Sequence, residues 1–357
     1  MTSYLPIPAS SSLAYHKALD PMIQEVDRAL EAHPDLERLI GQGNDDRMRD
    51  NHRNHARFMD NVFFCGSPRL LEQTLPWVYR AYSARGFSTD YFPVELEAWK
   101  EAIARHLPEA HGAPVLAVYD GILAQHPALC AASRQLPTPS AASLPLGPLV
   151  EQFLEGNLAG VEAHIQHHFG PLPAVEDLYL RILDPVLQEI GRRWEIGAIS
   201  STAEHVASAL ATRIMSRAYG HLSPRLVPGK LAVVTSVPGE THQLGAWMIA
   251  DLLELRGWDA TLVAADPELQ DLQERVLEQP PALLALSITL PFHLQAAQRL
   301  IEGVRNQLGP RSPAILLGGQ AIGGDEALAR KLGADGTALD GRGAVLWAET
   351  RWEAQRS

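Results

Sequence analysis

Leu231-Ala-Val-Val-Thr-Ser236 runs directly into Val237-Pro-Gly-Glu-Thr-His242-Gln-Leu-Gly245, and these fifteen residues decide the fold. The first six carry no charge and are rich in β-branched side chains, which suits a short strand better than a helix. Pro238-Gly239 ends the strand, and an apolar helical pattern takes over from Leu244 to Arg256. Three comparable runs follow: Asp259-Ala-Thr-Leu-Val263, Leu283-Leu-Ala-Leu-Ser-Ile288 and Ala314-Ile-Leu-Leu-Gly-Gly319. Helical patterns such as Leu244 to Arg256 and Leu294 to Gln307 separate them. Buried strands alternating with helices predict a Rossmann-like, doubly wound parallel sheet over residues 225–357. Its ligand would sit at the C-terminal ends of the strands.

Working outward, residues 147–224 read as helical and end in a long pattern through Ile199, Val206, Leu210 and Ile214. Before them, Gln135-Leu-Pro-Thr-Pro-Ser-Ala-Ala-Ser-Leu-Pro145 has the composition of a linker, which we place at 135–146. Residues 1–134 form a further helical domain. From Ala14 to Ala131 apolar residues recur at helical spacing, as in Leu71, Leu75, Val78, Tyr79 and Tyr82, and predict a bundle of four or five helices. Ser67-Pro68 and Ser88-Thr89-Asp90 are helix starts, since a short polar side chain can accept from the free N–H groups of a first turn. The expected class is α + α/β.

Composition narrows the function. A formal charge of −12, with no cluster of Lys and Arg, argues against direct DNA binding. The most basic stretch, Arg47 to Arg57, is interleaved with Asp46, Asp50 and His, and we read it as a solvated helical face. Cys65 and Cys130 stand far apart, outside any disulfide or zinc spacing. Neither a signal peptide nor a membrane span is apparent, so a cytoplasmic protein without a membrane partner is expected.

The chemistry is in the loops after the strands. In the first of them, His242 could coordinate a transition metal through one ring nitrogen while the other bonds a carboxylate that fixes the tautomer. Glu240 is near in sequence, and a different acid could serve. In the later loops Ser287 and Thr289 offer hydroxyls, while Gly318 and Gly319 leave backbone room. A lone His in a loop, a Ser at a strand end or a Gly-Gly turn each has a commoner structural explanation. Together on one parallel sheet they point to a ligand site.

The loop resembles the Asp-x-His-x-x-Gly motif of the cobalamin-binding domain shared by methionine synthase, methylcorrinoid proteins and cobalamin photoreceptors, with Glu240 in place of Asp. After Gly245 come 41 residues before Ser287-Ile-Thr289, and 28 more before Gly318-Gly319, a spacing similar to the family's Ser-x-Leu or Ser-x-Thr and Gly-Gly motifs. The resemblance implies that His242 is the lower axial ligand to cobalt. Ser287 and Thr289 would bond the buried nucleotide tail, Gly318 and Gly319 would leave room for its base, and Gly245 would let the corrin approach the helix start.

Upstream, Trp194, nine further residues and Glu204-His205 resemble the Trp-x9-Glu-His signature of the adenosylcobalamin photoreceptors related to CarH and LitR, where a four-helix cap covers the upper corrin face. This implies that residues 147–224 are the cap. Trp194 would pack on the upper axial group, and Glu204 would accept hydrogen bonds from ribose hydroxyls, both selecting an adenosyl group. His205 is a candidate cobalt ligand after photolysis, because Glu195 stands where the relatives place a His directly after the Trp.

The N-terminal segment does not look like the winged helix-turn-helix of the DNA-binding photoreceptors. It is rich in His52, Arg53, His55, Arg57, Phe58, Phe63, Phe64, Trp77, Tyr79, Tyr82, Tyr91 and Trp99. An all-helical domain ahead of this cap and sheet is similar to the photocobilins, which implies biliverdin as a second chromophore. An aromatic core with a charged face explains the same residues. Cys65 could attach a bilin, although a buried inert thiol is the commoner state. The implied function is a light sensor with no catalytic residues, in which Co–C photolysis shifts the cap, changes a homo-oligomer and signals to an effector protein. A corrinoid methyl-carrier or radical-enzyme subunit and a cobalamin-dependent anti-repressor are the alternatives.

Overall fold

The computed structural model describes residues 5–136, 146–170, 173–222, 224–263 and 266–356. They form two compact units: Met1–Thr138 with Arg193–Ala198, and Pro139–Arg192 with Ile199–Ser357. Most of the predicted linker lies outside the described residues.

The first unit is helical: α1 Ala9–Lys17, α2 Leu19–Glu31, α3 Leu36–Ile40, α4 Asp45–Cys65, α5 Pro68–Ser83, α6 Tyr91–His106, α7 Glu109–Ala124 and α8 His126–Ser133. These eight exceed the four or five expected, because some breaks lack a strong sequence signal. A single residue, Ala18, separates α1 from α2, and Gln125 alone separates α7 from α8. The predicted starts at Pro68 and Tyr91 are present, but neither Ser67 nor Asp90 makes a side-chain capping bond. Instead, Ser88 Oγ accepts from the Asp90 N–H at 3.2 Å.

The basic stretch on α4 departs from the solvated face we expected. Its arginines 47, 53 and 57 are exposed, but Asn51 and His52 are buried. The Tyr91 hydroxyl lies 3.0 Å from His52 Nε2 and accepts from Asn51 Nδ2, also at 3.0 Å, and His52 Nδ1 meets Asp27 at 2.5 Å. Tyr15 and Tyr119 share a hydrogen bond, and Tyr119 reaches His55 Nε2 at 3.0 Å. Burial, aided by His52, pushes the His55 pKa down to about 3, so this ring is neutral. Burial raises the pKa of Glu95, which accepts from Trp99 Nε1 at 3.3 Å. The unit therefore has a hydrogen-bonded polar interior. Cys65 is buried.

In the second unit, α9 Leu146–Leu154 and α10 Leu158–Phe169 precede α11 Val175–Asp177. A π-helical turn, Leu178–Leu183, leads into α12 Asp184–Glu195, and α13 Ser201–Tyr219 follows. Ser200 caps α13 by accepting from the Ala203 N–H at 3.1 Å, as a free first-turn donor requires. The sheet and its helices alternate: β1 Leu231–Ser236, α14 Leu244–Glu254, β2 Asp259–Val263, α15 Leu269–Glu278, β3 Leu283–Ser287, α16 Leu294–Leu308, β4 Ala314–Gly318, α17 Glu326–Lys331, β5 Gly336–Thr337 and α18 Gly341–Arg356. All pairs are parallel, in the order β2-β1-β3-β4-β5. The predicted parallel sheet is present, with one short strand, β5, beyond the four expected. Phe153, Ile182, Val186 and Leu210 from the preceding helices share one apolar core with Ala246, Leu252 and Trp258. Among the described residues no single helix is long and apolar enough to cross a membrane.

Asp251 on α14 is buried in this core and accepts a hydrogen bond from Tyr179. Burial lifts its pKa to about 6, although the Tyr179 bond opposes the rise. The folded state thus holds this proton more tightly than the unfolded chain. The resulting stability is full below about pH 4 and is lost as pH rises through 6. The scale is set by about 1.4 kcal/mol per pKa unit. We therefore expect the melting temperature of Asp251→Asn, relative to wild type, to climb between pH 4 and pH 7. A difference that stays flat in thermal melts across that range would rule this out.

Candidate functional site

The strand order places the loops after β1 and β3 side by side, and their C-terminal crevice is where an open parallel sheet binds its ligand. Ser236, Ser287 and Gly318 lie in one cross-strand row: Ser236 is in register with Ser287, and Ser287 with Gly318. Three motifs far apart in sequence therefore meet at one edge, each leading into its loop.

Glu240 organises the first two loops. Its side chain is fully buried. Oε1 accepts from the His242 backbone N–H at 3.1 Å and lies 2.5 Å from His242 Nδ1. Oε2 accepts from the N–H groups of Thr289 and Leu290, both at 2.9 Å. Burial alone would raise this carboxyl, but the His242 ring, the two backbone donors at Leu290 and His242, and the imidazole charge together bring its pKa down to about 2. A permanent carboxylate at Nδ1 assigns the ring hydrogen to that nitrogen and leaves the Nε2 lone pair available. The same hydrogen bond raises the His242 pKa against the opposing effect of burial, with smaller contributions from the charges of Glu240 and Glu204.

The His242 side chain is 53% exposed, so its ring is oriented from inside and accessible from outside. Among the described residues no three His, Cys, Asp or Glu gather as a metal site. A metal taken here would bring its remaining ligands with it. Gly245 opens the same surface, since a Cβ there would meet only Ser287 Oγ, at 3.9 Å. Thr337 Oγ1 is buried with no hydrogen-bond partner among the described residues, but Thr337 is in register with Leu317, the residue before Gly318, so its side chain is on the opposite face of the sheet from Ser287 and Gly318. An imidazole with one free nitrogen and an uncrowded helix start fit a corrinoid.

The two Gly positions differ. Gly319 has φ +91° and packs against the Ile288 backbone, whereas Gly318 has nothing closer to its Cβ position than Ala338 O at 4.0 Å. Of the α13 pair, Glu204 accepts from Ser208 Oγ at 2.6 Å and meets His205 Nδ1 at 2.7 Å, and the His205 side chain is 77% exposed. Trp194 lies in the first unit with the end of α12. Arg85 lies 3.9 Å from the centroid of its ring. The sequence reading missed the clasp of Glu240 on the β3 loop, whose donors are backbone groups.

Comparison with known proteins agrees with this geometry. Two family models, each described as a B12 binding domain, match residues 147–219 and 230–346. The HTH-type transcriptional repressor CarH of Myxococcus xanthus is 27% identical over 197 residues, which is 52% of this chain and 63% of that protein. The HTH-type transcriptional repressor CarA of the same organism is 31% identical over 103 residues, 29% of this chain and 34% of that protein. The chain thus spans less than two thirds of the length of either relative. The monomethylamine corrinoid protein of Methanosarcina barkeri shares the fold with a TM-score of 0.50 at 16% identity, over 57% of this chain and 96% of that one. With both B12 binding domains present in order, the chain belongs to the cobalamin-binding family related to CarH.

Proposed function

We propose that the protein is a light sensor that binds adenosylcobalamin, with His242 Nε2 as the lower axial ligand to cobalt. The observation that carries this is the His242–Glu240 pair, a half-exposed imidazole oriented by a buried carboxylate at 2.5 Å. When bound, adenosylcobalamin supplies a cobalt–carbon bond that visible light breaks. The chain's own residues orient and select. Glu240 fixes the tautomer, Ser287 and Thr289 offer hydroxyls to the tail, and Gly245, Gly318 and Gly319 leave room. Glu204 would accept from ribose hydroxyls, Trp194 would pack on an adenosyl group, and His205 would be a candidate cobalt ligand after photolysis. Residues 147–224 act as the cap and 225–357 as the corrin-binding domain. The output is a change in homo-oligomeric state or in a surface for an effector protein, without direct DNA contact.

The test is purified protein loaded with adenosylcobalamin, kept dark or exposed to green light. Irreversible changes in absorption and in elution volume support the sensor. Preference for methylcobalamin with no change in size would favour a methyl carrier, and capture of a transcription factor in the presence of the cofactor would favour an anti-repressor.

Biliverdin in residues 1–134 is the finer part of the proposal, supported by the density of aromatic, His and Arg side chains there. Many of these pack on one another, as Tyr79 does on Phe92 with centroids 3.8 Å apart and His55 on Trp99 at 5.1 Å. Co-expression with a haem oxygenase should give a red band that survives desalting, and its absence leaves cobalamin as the sole chromophore.

A further inference from the structure

The turn that carries Glu240 is held from the loops on both sides of it. Pro238 and Gly239, the latter at φ +86°, form its centre, and the Glu240 N–H closes it by donating to Val237 O at 3.0 Å. This is the pattern of a type II turn, which leaves the Gly239 N–H pointing outward. Asp266 takes up that donor, its Oδ1 accepting at 2.8 Å. The Asp266 backbone N–H donates in turn to Glu240 O at 3.2 Å, and the Ser236 hydroxyl donates to the same oxygen at 3.2 Å. Asp266 therefore grips the chain on both sides of the Glu240 Cα. Gly239 is packed against the β3 loop as well, since a Cβ there would meet His293 Nδ1 at 2.9 Å. Asp266 is exposed, and among the described residues it is the only non-glycine with a positive φ, +53°. Asp and Asn tolerate that conformation better than other side chains do.

The placement of the Glu240 Cα sets where its buried carboxylate sits, and that carboxylate lies 2.5 Å from His242 Nδ1. A ring oriented by a hydrogen bond is aimed only as well as the acceptor is fixed. We infer that Asp266 is a positioning residue for His242, holding the Gly239–Glu240 backbone so that the carboxylate orients the imidazole toward the cofactor. The inference rests on the reading above that His242 binds cobalt. It extends the site to a third loop, the one after β2. In the sheet β1 stands between β2 and β3, so the β1 loop is flanked by two others: Glu240 ties it to the β3 loop, and Asp266 ties it to the β2 loop. Both bonds of Asp266 end on the turn backbone, so its effect on the cofactor passes through Glu240 and the imidazole.

The experiment is a double-mutant cycle on the full chain, with hydroxocobalamin affinity read by absorbance titration and folding by thermal melts of the cofactor-free protein. Asp266→Gly removes the side-chain acceptor, while glycine adopts the positive φ freely. Asp266→Asn keeps both an acceptor oxygen and the tolerance of that φ. His242→Ala should bind more weakly and lack the imidazole-ligated spectrum. If it binds and absorbs like wild type, the reading of His242 fails and the inference falls with it. Given that response, Asp266→Gly should weaken binding by about 2- to 10-fold, the worth of one hydrogen bond, and should melt close to wild type. Asp266→Asn should bind like wild type, because the Gly239 N–H keeps its acceptor. In the His242→Ala background Asp266→Gly should cost nothing further, since no imidazole is left to aim. An equal loss in both backgrounds, unchanged affinity in Asp266→Gly, or an Asp266→Gly protein that melts far below wild type would each overturn the positioning role.

Discussion

Glu240→Gln is expected to weaken cobalamin binding by about 10- to 100-fold, the usual cost of removing a group that orients a metal ligand. Glutamine matches the shape of the side chain but not its hydrogen-bonding capacity. The carboxylate accepts from four donors: the His242 ring, the His242 N–H, the Thr289 N–H and the Leu290 N–H. An amide has one acceptor oxygen, and its NH2 would face N–H groups in a site with no solvent exposure. At least one buried donor loses its acceptor, at about 1–3 kcal/mol. The cofactor-free protein should therefore melt earlier as well, because the β1 and β3 loops are no longer clasped together. His242→Ala provides the contrast. It leaves three backbone donors on Glu240 and removes a half-exposed side chain, so the fold should be nearly unaffected while the spectrum of an imidazole-ligated cobalamin is lost. Absorbance titrations and thermal melts of both variants separate the two effects. A Glu240→Gln protein that binds and melts like wild type, or a His242→Ala protein that keeps the imidazole-ligated spectrum, would count against the assignment.

The second unit was legible because its signals are local. Three of its strands, β1, β3 and β4, are runs such as Leu283-Leu-Ala-Leu and Ala314-Ile-Leu-Leu, buried by helices and therefore unmistakably apolar, while the edge strand β2 is only half-buried. The start of α13 follows Ser200, whose side chain caps it. β5 escaped because Gly336–Thr337 is two residues long and carries no apolar run. Its pairing is dictated by β4, far away in sequence. Glu240 was named only as the nearest acid. Its hold on Thr289 and Leu290 depends on a register between β1 and β3 that no local pattern encodes.

The first unit was harder to read for the opposite reason. His52, Asn51 and Glu95 look like surface residues in a list, yet they are buried and bonded to Tyr91, Asp27 and Trp99 across α2, α4 and α6. Periodicity detects apolar faces, and a polar interior defeats it. Trp194 illustrates a third limit. Its spacing to Glu204 is visible in the sequence, but its partners Trp77 and Arg85 belong to a segment more than 100 residues earlier.

Gly319→Ala should be the most damaging single methyl in the chain's binding region, and its cause differs from the one the sequence suggests. Both glycines of the pair were expected to make room for the nucleotide base. At Gly319, however, φ is +91° and an added Cβ would meet Ile288 O at 2.3 Å, Ile288 C at 2.7 Å and Ile288 N at 2.8 Å. That backbone cannot yield easily. The Ile288 N–H donates to Gly318 O at 3.0 Å, and Ile288 O accepts from the Ala321 N–H at 3.1 Å. Strain at positive φ costs about 1–3 kcal/mol, and overpacking adds a similar amount, about 1–3 kcal/mol. At about 2–4 °C per kcal/mol for a unit of this size, the melting temperature should fall by roughly 5–20 °C. Thr289 and Leu290 follow Ile288, so its displacement also loosens the donors that hold Glu240, and cobalamin affinity should drop with stability. Gly318→Ala is the control, because its Cβ has no neighbour nearer than 4.0 Å. It should melt close to wild type, and any affinity it loses then reports crowding of the ligand itself. If the two alanine variants melt at the same temperature, the close packing of Gly319 on Ile288 is not what requires glycine there.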